Sequence, residues 1–366
     1  MIKYFNKINN YRKDIFDLLI FFNFLSLLIS CFLSKNFVIS FAYTLLYFVG
    51  IYLYYYFKGI YFDLNENNIL EIYIIIRNVF FSLLLLVLFF YFFTEDYVST
   101  EKRLYGGRIA NLLIICPIIF LISLYLTTTT KNNVLNKLCL ISSLIIIFFA
   151  YSRSTWWSTI FLTILLYFKI FFIDYEKKEK QKLKFFTIVI ILIFILFLFL
   201  NFSEISFILS RGQEDPFSTS GRDIIAAWVI DYMNERLFGL GLGTGFKKIF
   251  PTLIGNFDYL GGLEVEKIGT AHNAYLEILM SGGWFSFFCY IFLSILPILF
   301  FVRNFKKIIR SNFYLLFLIF IFLIMNNMVN ATSTIPSYLT FSIFWVTLSA
   351  INLLIYQKKI NLSSKL

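Results

Sequence analysis

The segment at residues 185–202, FFTIVIILIFILFLFLNF, decides the class of the fold. Only Thr187 and Asn201 interrupt an otherwise apolar run. A helix that crosses the hydrocarbon layer of a bilayer needs about 20 predominantly apolar residues. The segment therefore predicts a transmembrane helix, and the rest of the chain can be compared with it.

The whole chain has the same apolar character. Of its 366 residues, 60% are hydrophobic and 14% are charged, and they include 49 Phe and 24 Tyr. A soluble domain is about half apolar and about a quarter charged. This composition excludes soluble enzymes, nucleic-acid-binding proteins and disordered scaffolds. The net charge of +11 fits a membrane protein, because Lys and Arg accumulate in cytoplasmic loops.

Ten apolar runs predict an all-α polytopic membrane bundle of about ten transmembrane helices. Residues 34–36 alone separate the first two runs, which predicts a tight helical hairpin. Without an internal repeat or a linker, residues 1–366 are expected to form a single integral membrane domain. The runs lie near residues 15–33, 37–57, 70–93, 108–126, 134–150, 155–173, 185–202, 284–302, 313–330 and 337–356.

The distribution of basic residues predicts the orientation. If both termini are cytoplasmic, nineteen Lys and Arg lie in the short inner segments and five in the short outer ones. The segment at residues 203–283 then lies on the periplasmic side, with short helices in it. Loops of that length are usually functional, so any chemistry is expected there. Basic residues also precede the first run without a small-residue cleavage site, which indicates an uncleaved first span.

The number and spacing of the cysteine and histidine residues do not indicate a metal site. The chain has a single histidine and no pair of cysteines spaced as CxxC, so a zinc site is not expected. Each cysteine lies inside an apolar run and is interpreted as a small buried hydrophobic residue. They are Cys31, Cys116, Cys139 and Cys289.

A helix start is predicted at residues 220–223. Ser220 is a good N-cap, Asp223 can complete a capping box, and Gly239 is a natural end for the helix. The free N–H groups of this N-terminus, with Arg222 in the first turn, suit a phosphate or a diphosphate. The alternative is an interfacial helix whose Arg222 pairs with a nearby carboxylate. Apolar residues at helical spacing predict one packed face: Ile225, Trp228, Val229 and Tyr232.

Alternating glycines follow that helix. Gly239, Gly241, Gly243 and Gly245 allow the backbone to approach a ligand or another helix closely. Because no strand precedes them, a nucleotide-binding fingerprint is not indicated. The alternative is an irregular turn packed at the membrane surface.

His272 opens a short helix that is expected to end at residues 282–283, before a span that begins at Trp284. The positive potential of a helix N-terminus favours a neutral imidazole, which can accept a proton from a hydroxyl group. The alternative is a purely structural histidine.

Three further charged residues lie in or beside the spans. Arg153, between the fifth and sixth spans, is either a second cation facing the outer cavity or an interfacial anchor beside two tryptophans. Arg77 and Glu71 lie in the third span, where a charge is expected to face the interior of the bundle. The alternative for Arg77 is a position in the cytoplasmic half of the span, from which its side chain extends to the interface. Neither residue is assigned a role.

The order of these motifs resembles the O-antigen ligase and O-antigen polymerase family of bacterial envelope glycosyltransferases, over residues 150–300. A departure is Phe238, because the family often has proline before the glycine-rich run. The similar motifs are Ser152-Arg153-Ser154, Thr219-Ser220-Gly221-Arg222, Trp228, the run from Leu237 to Gly243, and His272-Asn273-Ala274-Tyr275-Leu276.

The resemblance implies a glycosyltransferase of the bacterial inner membrane, either inverting or retaining, that needs neither a metal nor a cofactor. Its substrate would be an undecaprenyl-diphosphate-linked oligosaccharide at the periplasmic face. Arg153 and Arg222 would bind the diphosphate, and His272 would activate the acceptor hydroxyl. Partners would include a chain-length regulator and a flippase, but no nucleic acid. Supporting residues would be Arg211, Gly241, Gly243 and Asn273.

Several functions stay open at this point. We favour a polymerase that extends the next lipid-linked repeat unit, because the bias towards Phe, Ile, Lys, Asn and Tyr resembles low-GC surface-antigen genes. The alternatives are a ligase that transfers the glycan to the lipid A core, and a transporter of lipid-linked saccharides. A metal-dependent transferase is disfavoured because residues 34–36, the first outer loop, carry no acidic motif. A non-catalytic partner of an assembly complex is also left open.

Overall fold

The computed structural model describes residues 14–60, 66–93, 109–129, 134–149, 153–170, 222–234, 236–244, 273–329, 334 and 339–356. The regular elements in these ranges are helices, without a strand among them, which confirms the predicted all-α class. In chain order they are α1 (Ile15–Leu33), α2 (Phe37–Ile60), α3 (Glu66–Phe93), α4 (Ile109–Thr129), α5 (Val134–Phe149), α6 (Arg153–Lys169), α7 (Arg222–Met233), α8 (Ala274–Arg303), α9 (Phe305–Ile308), α10 (Tyr314–Asn327) and α11 (Leu339–Tyr356).

Several helices have the length and composition of membrane spans. Within the described ranges, four helices are long and apolar enough to cross a bilayer: Ile15–Leu33, Phe37–Gly59, Asn68–Leu86 and Ala274–Arg303. Four further apolar helices are shorter: Ile115–Thr129, Val134–Ile147, Tyr314–Asn327 and Thr340–Ile355. The count of about ten spans stays a prediction, since the run at residues 185–202 lies outside the described ranges.

The chain divides into two compact units, with the boundary inside α3. Unit 1 comprises residues 1–71 and 221–366, and unit 2 comprises residues 72–220. Unit 1 therefore contains α1, α2 and α7 to α11, whereas unit 2 contains most of α3 together with α4 to α6. The expectation of a single membrane domain over residues 1–366 stays a prediction.

Helices α1 and α2 form the predicted hairpin, and a buried ion pair joins its open end. In a capping box at the start of α1, Asp17 N–H donates to Asp14 Oδ1 at 3.0 Å and Asp14 N–H donates to Asp17 Oδ2 at 3.1 Å. Lys58 Nζ, near the end of α2, lies 2.9 Å from a carboxylate oxygen of each aspartate. The side chains of Lys58, Asp14 and Asp17 are only 7%, 6% and 14% exposed. The two ends of the hairpin are therefore held together.

Helix α2 packs closely on α11 at Gly50. A Cβ added to Gly50 would lie 2.4 Å from ring atoms of Phe341 and Trp345, so a larger residue does not fit without repacking. The rings of Tyr47 and Tyr54 meet Trp345 edge-on, with centroids 5.7 and 6.3 Å apart. Such edge-to-face contacts are the preferred geometry of aromatic pairs.

Arg77 and the four cysteines are buried inside the bundle, as expected. In unit 2, Arg77 on α3 is 2% exposed, and its guanidinium donates to the side-chain oxygens of Asn78 and Asn136. This confirms that Arg77 faces the interior. The same expectation is wrong for Glu71, which is exposed near the start of α3. The four cysteines, Cys31, Cys116, Cys139 and Cys289, are free and buried, as predicted.

Candidate functional site

Helix α8 is broken at the position that the sequence predicts. Gly283 has φ +80° and ψ −176°, which is not helical. This combination is essentially restricted to glycine. A Cβ at Gly283 would also lie 2.2 Å from the carbonyl oxygen of Leu237. The predicted helix end at residues 282–283 is confirmed, and the second half of α8 follows directly.

Residues 237–244, here called the glycine loop, lie against this break. The N–H groups of Leu240 and Gly241 donate to the carbonyl oxygens of Met280 and Ser281, at 2.8 and 3.1 Å. Carbonyl groups in the last turn of a helix lack intrahelical donors. The glycine loop therefore supplies the hydrogen bonds that the first half of α8 loses at the break.

Three glycines of the loop are required by close packing. A Cβ at Gly239 would lie 2.2 Å from the carbonyl carbon of Ser281. Gly241 and Gly243 have φ values of +89° and +76°, which L-residues with side chains rarely adopt. A Cβ at Gly243 would collide with the ring of Tyr43 on α2. Of the two predicted reasons for the glycines, close approach to another helix is the one observed in the described residues.

Helix α1 contributes polar side chains to the same junction, and the sequence did not predict this contribution. Ser26 Oγ donates to the carbonyl oxygen of Gly282 at 2.6 Å, and Ser30 Oγ accepts from Gly239 N–H at 2.9 Å. The available signal was helical spacing in an apolar span, three and four residues apart. The members of this row are Asn23, Ser26, Ser30 and Ser34.

Helix α7 packs on the first half of α8. The apolar cluster between the two helices consists of Ile225, Val229, Met233, Leu276, Leu279 and Met280. The indole N–H of Trp284 donates to the carbonyl oxygen of Met233, the last residue of α7, at 3.0 Å. Both α7 and the first half of α8 therefore run towards the break. The predicted packed face of α7 is confirmed.

The predicted end of α7 at Gly239 is wrong. The helix ends six residues earlier, at Met233, where Trp284 bonds to its last carbonyl group. Gly239 resembles a helix stop in the sequence, but in the structure it allows close contact with Ser281. Sequence alone could not distinguish these roles, because both favour a residue without a side chain.

Asn273 fixes the start of α8. Its Oδ1 accepts hydrogen bonds from the N–H groups of Tyr275 and Leu276, at 2.9 and 3.2 Å, as an N-cap. Its Nδ2 donates to the carbonyl oxygen of Met328, just after α10, at 3.0 Å. His272, which lies outside the described residues, thus directly precedes the capping residue in the chain.

The remaining predicted site residues are described only in part. Arg222 is the first residue of α7 in unit 1, and Arg153 is the first residue of α6 in unit 2. The helix predicted to start at residues 220–223 is confirmed, whereas its predicted N-cap, Ser220, lies outside the described residues. Only the backbone of Arg222 and Arg153 is described. Arg211 lies outside the described residues, as does His272. A shared site for the arginines and the histidine stays a prediction.

A half-buried aromatic pair on α7 lies beside an exposed cation just after the helix. Trp228 and Tyr232 have ring centroids 5.7 Å apart and are tilted by 30°. The guanidinium carbon of Arg236 lies 4.5 Å from the centroid of the Tyr232 ring, a cation–π contact. This arrangement suits the boundary between membrane and water, where amphipathic rings concentrate.

Comparison with known proteins gives a match to a protein family. The family model described as O-antigen ligase matches residues 138–291. The matched range includes α7, the glycine loop and the break in α8, whereas α1 and α2 precede it. No curated protein and no solved structure matches the chain.

Proposed function

Because residues 138–291 match the O-antigen ligase family model, we propose that this protein is a membrane glycosyltransferase that polymerises a surface polysaccharide. It transfers an undecaprenyl-diphosphate-linked glycan onto the non-reducing end of the next lipid-linked repeat unit. The reaction takes place at the periplasmic face of the inner membrane.

The proposed reaction exchanges one bond at the anomeric carbon for another. The acceptor hydroxyl oxygen bonds to this carbon, the bond to the diphosphate oxygen breaks, and undecaprenyl diphosphate leaves. His272 takes the proton of the hydroxyl group. Arg153 and Arg222 neutralise the charge that develops on the leaving diphosphate, together with free N–H groups at a helix N-terminus. These groups suffice for the chemistry without a metal ion or a cofactor.

The observation that carries the proposal is the packing of α7 on the first half of α8. Both helices run towards the break, because Met233 at the end of α7 bonds to Trp284. Their N-terminal ends therefore lie on the same side of the break. Arg222 is the first residue of one helix, and His272 precedes the N-cap of the other. Two helix N-termini with one guanidinium favour a diphosphate beside the imidazole.

Three of the supporting residues, Gly241, Gly243 and Asn273, shape the backbone around the proposed site. Gly241 and Gly243 allow the glycine loop to pack on α2 and on Ser34 of the hairpin turn. Asn273, which follows His272 in the chain, caps α8. Arg211 is a further cation of the same periplasmic segment, residues 203–283. With both termini in the cytoplasm, this segment meets substrate delivered by a flippase, and a chain-length regulator is a further partner.

A second candidate is an O-antigen ligase, which transfers the finished glycan to the lipid A core. The description of the matched family favours it. Both enzymes use the same donor and the same leaving group, so they differ only in the acceptor. The proposed roles of Arg153, Arg222 and His272 are unchanged in this case.

A deletion strain separates the two functions. We expect that loss of the gene leaves lipid A core bearing one repeat unit, as seen by gel electrophoresis of the lipopolysaccharide. Core without any repeat unit would instead identify the ligase. Complementation with the His272→Ala variant is expected to fail in either case. Full complementation by this variant, at wild-type protein levels, would contradict an enzymatic role.

A further inference from the structure

The break in α8 is held by residues that lie outside the matched domain. We propose that Asn23, Ser26 and Ser30 of α1 are positioning residues. They set the angle between the two halves of α8 and hence the position of the N-cap Asn273, which follows His272 in the chain. The inference rests on the proposed function for its catalytic consequence. The contacts themselves lie within unit 1.

Ser26 supports the last residue before the break. Ser26 is 1% exposed, and its hydroxyl group donates a hydrogen bond to the carbonyl oxygen of Gly282 at 2.6 Å. The intrahelical donor for that carbonyl group would be four residues further on, beyond the non-helical Gly283. The bond to Ser26 therefore replaces a backbone hydrogen bond that the break disrupts.

Ser30 supports the glycine loop against the same half-helix. Its Oγ is buried and accepts from Gly239 N–H at 2.9 Å. The next two N–H groups of the loop, those of Leu240 and Gly241, donate to the first half of α8. One side chain of α1 thus fixes the loop that bonds to the end of the half-helix.

Asn23 supports the other side of the break. Its Nδ2 donates to both Oγ and the carbonyl oxygen of Ser286, at 3.0 Å each, and its Oδ1 accepts from Tyr47 O–H at 3.1 Å. Asn23 is fully buried. Because side chains of α1 form hydrogen bonds with residues on both sides of Gly283, α1 bridges the two halves of α8.

Because the first half of α8 is long, a small change in its angle at the break displaces its N-terminal end. The ten residues from Asn273 to the break extend about 15 Å at 1.5 Å per residue. A tilt of about 5° at the break would move the N-terminal end by about 1.3 Å over that length. A displacement of about 1 Å in an active site can lower the rate about a hundredfold. Small losses of support at α1 are therefore expected to affect turnover more than binding.

The test compares serine variants that differ in the location of their hydrogen bonds. Ser26→Ala and Ser30→Ala remove bonds from α1 to the junction. Ser143→Ala is the matched control, because Ser143 is fully buried and bonds to carbonyl groups of its own helix, at 2.6 and 3.1 Å. Ser26→Thr retains a hydroxyl group and is the conservative variant. All are purified as full chains and reconstituted with an undecaprenyl-diphosphate-linked repeat unit.

We expect kcat to fall at least tenfold in Ser26→Ala and in Ser30→Ala, with KM within twofold of wild type. Ser143→Ala should retain wild-type kcat, and Ser26→Thr should recover most of it. Amide hydrogen exchange in residues 274–282 should rise about tenfold in the two α1 variants and stay unchanged in the control, since a loosened segment opens more often.

The two readouts separate failure of this inference from failure of the proposed function. Unchanged kcat and unchanged exchange in both α1 variants would overturn the inference, and so would equal losses in Ser143→Ala. If the wild-type protein shows no transfer, the proposed function fails. The exchange pattern alone then decides whether α1 positions the half-helix.

Discussion

The indole N–H of Trp284 donates a 3.0 Å hydrogen bond to the carbonyl oxygen of Met233. This bond joins the end of α7 to the start of the second half of α8. It therefore fixes the end of α7 beside the break in α8.

Trp284→Phe should destabilise the attachment of α7. The change leaves the Met233 carbonyl group without its side-chain donor, which costs about 1 kcal/mol. Thermal unfolding in detergent should show a lower Tm than in the wild-type protein. The control is Trp157→Phe, since Trp157 is 67% exposed. Equal changes in Tm for the two variants would show that the hydrogen bond contributes nothing.

Gly283→Ala should prevent correct folding of unit 1. A side chain at this position is strained at φ +80° and ψ −176°, and its Cβ meets the Leu237 carbonyl oxygen. The strain costs at least about 2 kcal/mol. We expect a low yield of monodisperse protein in size-exclusion chromatography.

Gly283→Asn should not restore the yield, although asparagine often tolerates positive φ values. Asparagine occupies the left-handed helical region, where ψ is near +45°, whereas ψ of Gly283 is −176°. A normal yield from either variant would mean that the break in α8 does not require glycine.

Lys58→Met should destabilise the hairpin of α1 and α2. It leaves the carboxylates of Asp14 and Asp17 close together without their cation. Removing one partner of a buried ion pair costs about 3–5 kcal/mol. The free energy of unfolding in detergent measures this loss, and Lys35→Met, at an exposed residue of the hairpin turn, is the control. A loss as small as in the control would indicate that the pair is solvated.

Arg222→Lys should lower kcat about tenfold although it keeps the positive charge. A lysine cannot donate two parallel hydrogen bonds to a diphosphate as a guanidinium does. Arg236→Lys makes the same change at an exposed arginine that stacks on Tyr232, and it should leave kcat unchanged. If both variants retain full turnover, Arg222 does not bind the leaving group.

The sequence predicted the features that depend on local patterns. The tight hairpin follows from three residues between two apolar runs, and the break in α8 follows from two successive glycines before Trp284. The helix start near Arg222 also follows from local signals. Each of these features is encoded within about ten residues of the position that it determines.

The sequence did not predict the features that depend on distant partners. Ser30 bonds to Gly239, 209 residues away along the chain, and no local pattern identifies that partner. For the same reason Gly239 was interpreted as a helix stop, although its role is close packing on Ser281. The polar row on α1 was visible in the sequence, but its function becomes clear only with the break beside it.

Turnover by the purified protein tests the central claim most directly. Full-length protein in proteoliposomes is supplied with an undecaprenyl-diphosphate-linked repeat unit, and the release of undecaprenyl diphosphate is followed with time. We expect transfer by the wild-type protein and a loss of about 10²–10⁴ in kcat for His272→Ala, the range for removal of a general base. Wild-type turnover in His272→Ala would contradict the account.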